Sequence, residues 1–160
     1  MDLQTQLFLL AHVAGASLLG SLVGMERDLA NKPAGSRTHT LTAGAAAFLV
    51  LLGDAVLEFF DPQALISADP IRIIQAIVVG VSFLGAGTIF KDKDGDGDPI
   101  EGLTTGASLL SVAAMGIAIA LQLYWLAVGV AVANVVINWG MDNLANALKD
   151  RLGIDREDDK

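Results

Sequence analysis

The sequence predicts an all-α integral membrane protein: a five-transmembrane-helix bundle, N-terminus outside and C-terminus cytoplasmic, with an amphipathic C-terminal helix extension. Three observations carry that prediction. At 53% hydrophobic residues and a mean hydropathy of +0.56, the 160-residue chain is too apolar for an ordinary soluble domain of its size. Apolar runs fall at about 5–24, 40–60, 70–90, 102–121 and 123–142, and at about 1.5 Å rise per residue each matches the ~30 Å hydrocarbon core. Nine of the ten lysines and arginines then fall on one alternating side of those runs, the mark of cytoplasmic loops.

The first run continues well past the length of a secretory core and lacks a small-residue cleavage site, so it reads as a retained span rather than a signal peptide. The loop after it, from Gly24-Met25-Glu26-Arg27-Asp28 to Pro33-Ala34-Gly35-Ser36-Arg37-Thr38-His39, sets Glu26, Arg27, Asp28, Lys32, Arg37 and a histidine at a membrane edge. Charge held there is costly and marks a stop signal or a working site. Arg72 and Gln75 open the third run. The fourth and fifth are split only by Gln122-Leu123-Tyr124-Trp125, a tight hairpin with aromatics at the interface; one helix through both runs would overshoot the bilayer about twofold. Beyond Gly140, Met141, Leu144, Ala145, Leu148 and Leu152 recur at helical spacing among charged residues, which predicts an amphipathic extension over 143–153 along the inner surface. Gly153 ends it, leaving one domain over 1–153 and a charged disordered tail over 154–160.

Arg27, Lys32, Arg37, Lys91, Lys93, Lys149, Arg151, Arg156 and Lys160 define the cytoplasmic side, against Arg72 alone on the other. Small residues repeat at i+4 as Ala16/Gly20/Gly24, Ala76/Gly80, Gly102/Gly106 and Gly116/Ala120. Such stripes let helix backbones approach closely. They serve packing within the chain or a seam between copies, so the expected partners are the lipid bilayer and a second copy, a dimer. With no cysteine the chain has no disulfide, thiolate metal site or cysteine nucleophile, and a net charge of −8 argues against a nucleic-acid partner.

Gly24-Met25-Glu26-Arg27, Pro33-Ala34-Gly35-Ser36-Arg37-Thr38, Ser82-Phe83-Leu84-Gly85-Ala86-Gly87 and Gly102-Leu103-Thr104-Thr105-Gly106-Ala107-Ser108 follow one another in the order of the MgtC/SapB family, which the chain resembles over roughly 5–140. The resemblance implies a prokaryotic inner-membrane protein with five spans. It implies links to growth in low magnesium, to survival of pathogens inside macrophages, and to restraint of another membrane complex, the ATP synthase. Several family members carry a regulatory domain of the ACT type after the last span; none is expected here. The loop over 92–98 is also more acidic than the family pattern.

Three groups are candidates for function. Glu26, Arg27, Arg37, Thr38 and His39 flank the inner ends of the first two spans. The resemblance brings Gly85, Gly87, Thr104, Thr105 and Ser108 to the same depth, making a polar corner with a self-neutralising Glu–Arg pair. The alternative is that the basic residues anchor topology and the threonines cap a helix. An outer-half cluster of His12, Asp54, Glu58 and Arg72 offers an Asp54–Arg72 or Glu58–Arg72 pair, with a path inward through Asn134 and Asn138; snorkelling and interhelical hydrogen bonds are the alternative. Finally Asp92, Asp94, Asp96 and Gly97 match the opening half of a calcium loop. Leu103 stands where the closing glutamate belongs, but Asp98 and Glu101 add oxygens, so the loop is a candidate for Ca²⁺ or Mg²⁺ or else a plain acidic turn. No Walker loop, zinc spacing or nucleophile–base pair is legible, which argues against an enzyme. The leading reading is a small membrane regulator; the rivals are a cation or proton transporter and a metal-sensing membrane module.

Overall fold

The structure is a computed structural model and describes residues 1–59, 69–91 and 100–152. Five helices follow one another: α1 (Leu3–Leu29), α2 (Ser36–Phe59), α3 (Pro70–Ala86), α4 (Leu103–Ala120) and α5 (Tyr124–Leu152). Between α3 and α4 lies a two-residue antiparallel ladder, β1 (Phe90–Lys91) on β2 (Ile100–Glu101), with Phe90 opposite Glu101. α1, α2, α4 and α5 are long and apolar enough to cross a membrane. α3 is shorter than the apolar run that predicted it, because the chain leaves the helix at Gly87 and turns through Thr88 and Ile89 into β1. The extension predicted over 143–153 is no separate segment as far as Leu152: α5 runs through it without a break.

Local chemistry sets the helix ends. Asp2 caps α1 by accepting from the Thr5 amide at 2.9 Å, and Asp69 caps α3 by accepting from the Ile71 amide at 3.0 Å, with Pro70 at the first helical position. Asp28, near the end of α1, accepts from the Ser36 amide at 2.9 Å and so caps the next helix. Asn31, at φ 52°, turns the chain out of α1 in a conformation that asparagine tolerates. Gly102 precedes α4 at φ +85°, and a β-carbon there would overlap the Thr88 carbonyl, so only glycine fits this corner.

α4 is the central post, in contact with α1, α2, α3 and α5, and its inward face buries Leu109, Val112, Ala113 and Met115. Small residues bring the backbones together. A β-carbon on Gly20 of α1 would stand 2.5 Å from the His39 carbonyl oxygen of α2, and one on Gly24 would stand 2.5 Å from the Ser36 Cα. One on Gly116 of α4 would land on the Ala43 carbonyl oxygen of α2. Gly85 of α3 crosses Gly106 of α4, its built β-carbon 3.1 Å from the Gly106 Cα. Leu18, Leu22, Leu41, Phe48, Val79, Phe83, Val132 and Ile137 point outward instead. That inverted surface, on several membrane-spanning helices, places the chain in a lipid bilayer.

His12 of α1 and Tyr124 of α5 are hydrogen-bonded and therefore level. α1 continues from His12 back to Leu3, about 14 Å further. The α4–α5 turn thus ends short of the tips of α1 and α2, and a groove of about 470 Å³ lies between those tips, lined by Leu7, Leu10, Val13, Phe48 and Leu52. Both hairpin aromatics expected at an interface are exposed, Trp125 almost fully, while Tyr124 also brings its hydroxyl to His12.

Gly116→Ala is expected to lower stability by about 1–3 kcal/mol, because its methyl group must displace the α2 backbone. Gly129→Ala, whose β-carbon meets nothing within 4 Å, is expected to cost nothing or to gain up to about 1 kcal/mol from helix propensity. Unfolding in mixed micelles checks the contrast; equal losses at the two positions would contradict the close α2–α4 approach.

Candidate functional site: a polar ring at the basic end

The end of α1 and the start of α2 share one end of the bundle with the end of α3 and the start of α4. Here Arg27 is buried, with 2% of its side chain exposed, beside Glu26 with 14% exposed. Arg27 Nε donates to Glu26 Oε2 at 2.8 Å and Nη2 donates to Oε1 at 2.9 Å. Neighbours on a helix point about 100° apart, so the fork is made along the helix's own surface. The guanidinium enters the core with its counter-charge supplied by the preceding residue, a charge-assisted bidentate pair.

From Glu26 the hydrogen bonds run from helix to helix. Asn138 of α5 donates to Glu26 Oε2 at 3.2 Å. One turn away Asn134 donates to Ser111 Oγ of α4 at 2.8 Å and to the Val130 carbonyl at 2.8 Å. Ser108, the turn before Ser111, meets His39 Nε2 of α2 at 2.7 Å, while His39 Nδ1 lies 2.9 Å from the Gly35 carbonyl. A carbonyl only accepts, so Nδ1 carries the hydrogen, and in the neutral ring Nε2 accepts from the Ser108 hydroxyl. Asp28, accepting from the Ser36 amide, joins α1 to α2 and closes the circuit α1–α5–α4–α2. Thr105, one turn from Ser108, is fully buried, and its hydroxyl is the single buried side-chain polar atom without a partner among the described residues.

Of the ten residues expected at the polar corner, Glu26, Arg27, His39, Gly85, Thr105 and Ser108 lie inside or at the edge of the packed end. Arg37, Thr38, Thr104 and Gly87 are exposed. Helical period separates the two sets: His39, Thr42, Ala43 and Ala46 face inward on α2, which turns Arg37, Thr38 and Leu41 outward. Thr38 still contributes its carbonyl, which accepts from Thr42 Oγ1 at 2.8 Å. Two bonding partners escaped the sequence reading. Ser111 stood among small apolar residues, and Tyr124 read as an interfacial aromatic. The hydroxyl–imidazole contact of Ser108 and His39 was also not legible in spacing. Both side chains are enclosed, and the contact ties α4 to α2.

The outer-half cluster does not assemble as expected. His12 Nε2 contacts the Tyr124 hydroxyl at 2.7 Å and Nδ1 the Phe8 carbonyl at 2.8 Å, repeating the His39 arrangement. Arg72 pairs with Asp69, at 3.6 Å and with both exposed, instead of with Asp54. Asp69 is held three residues away as the α3 cap, so the local partner wins. Asp54 is exposed, and the Glu58 side chain lies outside the described residues. Asn134 and Asn138 bond into the ring at the basic end, not toward Asp54. In the acidic loop Asp92, Asp94, Asp96 and Asp98 lie outside the described residues, while Glu101 is exposed on β2. Among the described residues no three His, Asp or Glu side chains converge to hold a metal ion.

Glu26→Leu strands the Arg27 guanidinium and is expected to cost about 3–5 kcal/mol. The double replacement Glu26→Leu/Arg27→Met is expected to recover most of that loss, since no charge is then left unpaired. Unfolding of the three variants in bicelles tests this; a double variant as unstable as the single one would refute a mainly electrostatic origin.

Comparison with known proteins adds the family. The MgtC family model matches residues 13–147. The chain is 44% identical over 110 residues to Protein MgtC of Brucella abortus, covering 67% of this chain and 40% of that protein. It is 36% identical over 103 residues to Protein SapB of Bacillus subtilis, covering 64% and 43% respectively. It is 36% identical over 124 residues to the putative magnesium transporter YhiD of Escherichia coli, covering 76% and 54%. The chain thus spans about half the length of these curated relatives, and no solved structure matches it. With its bundle of apolar helices and a family match over most of its length, this chain belongs to the MgtC family.

Proposed function

We propose that the protein is a regulatory membrane protein of the inner membrane that supports growth in low magnesium by acting on another membrane complex, the ATP synthase among them. The observation that carries this reading is the use made of the polar groups at the basic end. Glu26, Asn138, Asn134, Ser111, Ser108 and His39 are bonded to one another or to Arg27, across helix boundaries. Groups committed in that way hold four helices in one arrangement; a conducting path needs side chains free to exchange partners with water or with an ion. A rigid bundle with broad apolar outer faces on α3 and α5 suits a protein that acts by binding through its helix sides. The basic end faces the cytoplasm in this reading, following the bias of lysine and arginine.

A second reading, cation or proton transport, draws on the name of the Escherichia coli relative, a putative magnesium transporter. Two measurements separate the readings. Purified protein in liposomes is expected to show no magnesium or proton flux above empty vesicles, and protein captured from membranes is expected to bring ATP synthase with it. Flux through the purified protein alone would overturn the regulatory reading. Orientation is tested separately: a reporter fused after Lys160 is expected to be active only in the cytoplasm, and activity outside the cell would reverse the topology.

A further inference from the structure

α1 and α5 run parallel and are tied to each other at two heights. His12 meets the Tyr124 hydroxyl near one end, and Asn138 donates to Glu26 near the other. The ties lie 14 residues apart on each helix, from 12 to 26 and from 124 to 138, about 21 Å along the axis. Between them the helices do not close up. The small residues of α1, Gly20 and Gly24, are taken by the α2 backbone, so Leu19, Leu22 and Val23 are left to face α5. Val128, Ala131, Val132 and Val135 face them from α5. With bulky side chains on both sides, a groove stays open between the two helices.

The groove consists of two adjoining cavities, with Leu22 and Val135 lining both. The one nearer mid-membrane holds about 260 Å³ and is lined by apolar side chains alone. The one at the basic end holds about 450 Å³, and there Met25, Leu29 and Trp139 are joined by the Glu26 carboxylate. From Trp139 back to Val128 the groove runs about 16 Å along α5, close to one leaflet's half of the ~30 Å hydrocarbon core. Glu26 is the one ionisable side chain lining it among the described residues. Arg27 lies behind, 2% exposed against 14% for Glu26, and takes no part in the walls. A carboxylate has about four lone-pair sites. Arg27 takes one on each oxygen and Asn138 a second on Oε2, so Oε1 keeps one open.

We propose that this groove binds one phospholipid with a primary ammonium headgroup, its ammonium on Glu26 Oε1 and one acyl chain along the leucine–valine slot. Length and wall chemistry fit an acyl chain of a single leaflet, and the slot opens sideways into lipid, since Leu22, Val132 and Val136 on its rim are exposed. Charge selects the headgroup. A carboxylate with no basic side chain beside it in the wall repels an anionic headgroup and draws a cation that brings N–H donors. A trimethylammonium carries the same charge but has no N–H to give. The groove at the tips of α1 and α2 is equally apolar, but no charged side chain lines it, so nothing there distinguishes one headgroup from another. The lipid site goes beyond the regulatory reading and does not depend on it.

Native mass spectrometry of the full chain tests the site, with phosphatidylethanolamine, phosphatidylcholine and phosphatidylglycerol of identical acyl chains supplied in equal amounts. The protein is expected to retain one phosphatidylethanolamine, favoured at least about threefold over either of the others. Val132→Phe fills the slot from an exposed position and is expected to stay folded and to lower that retention at least about threefold. Glu26→Leu/Arg27→Met, which leaves no charge unpaired, is expected to hold the three lipids alike. Equal retention of all three by the parent, a preference for phosphatidylglycerol, or an ethanolamine preference unchanged in either folded variant would each overturn the site. The outcome is independent of the flux and capture measurements, because it reports on lipid retained by the purified chain alone.

Discussion

Close backbone approach through small residues is the constraint on which this structure depends. In lipid a leucine gains little by facing another helix, since hydrocarbon surrounds it either way. What helices gain is dense packing, and density requires that one helix present little to its neighbour. α4 meets α2 at Gly116 and α3 at Gly106, while α1 meets α2 at Gly20 and Gly24. The large apolar side chains face outward, and the packed interior is mostly alanine, glycine and valine around Leu109 and Met115.

That packing makes the polar ring affordable. Once the backbones are close, short polar side chains reach across helix boundaries: Ser108 to His39, Ser111 to Asn134, and Glu26 to Asn138. Burying Arg27 would be prohibitive for a lone charge, but Glu26 precedes it in the chain and travels with it. The two histidines repeat one design. Each anchors one ring nitrogen on the carbonyl four residues earlier in the chain and offers the other to a hydroxyl on a different helix, His39 to Ser108 and His12 to Tyr124. They tie α2 to α4 and α1 to α5 at different heights in the bundle.

Membership of the MgtC family and the helical architecture converge on a multi-pass membrane protein. Function is then a matter of what the bundle leaves open. Among the described residues the interior polar groups at the basic end are bonded to a partner apart from the Thr105 hydroxyl, and the outer faces of α3 and α5 are the most exposed.

Hydropathy and helix length by themselves determined the number of helices, their order and most of their extent, because a bilayer imposes one thickness on every span. Charge bias and motif order pointed to the end of the bundle where Glu26, Arg27, His39, Thr105 and Ser108 gather. Which members of that set turn inward was decided by the tertiary structure: Arg37 and Thr104 share the loops and motifs of the buried residues but fall on the outer side of their helices. Pairing was likewise a matter of three-dimensional reach. Arg72 took the local Asp69 over the distant Asp54, and His12 found Tyr124 across 112 residues of chain. A sequence records what each residue can bond, but in a membrane bundle the choice among partners is made by helix rotation and height, which arise only when the helices pack together.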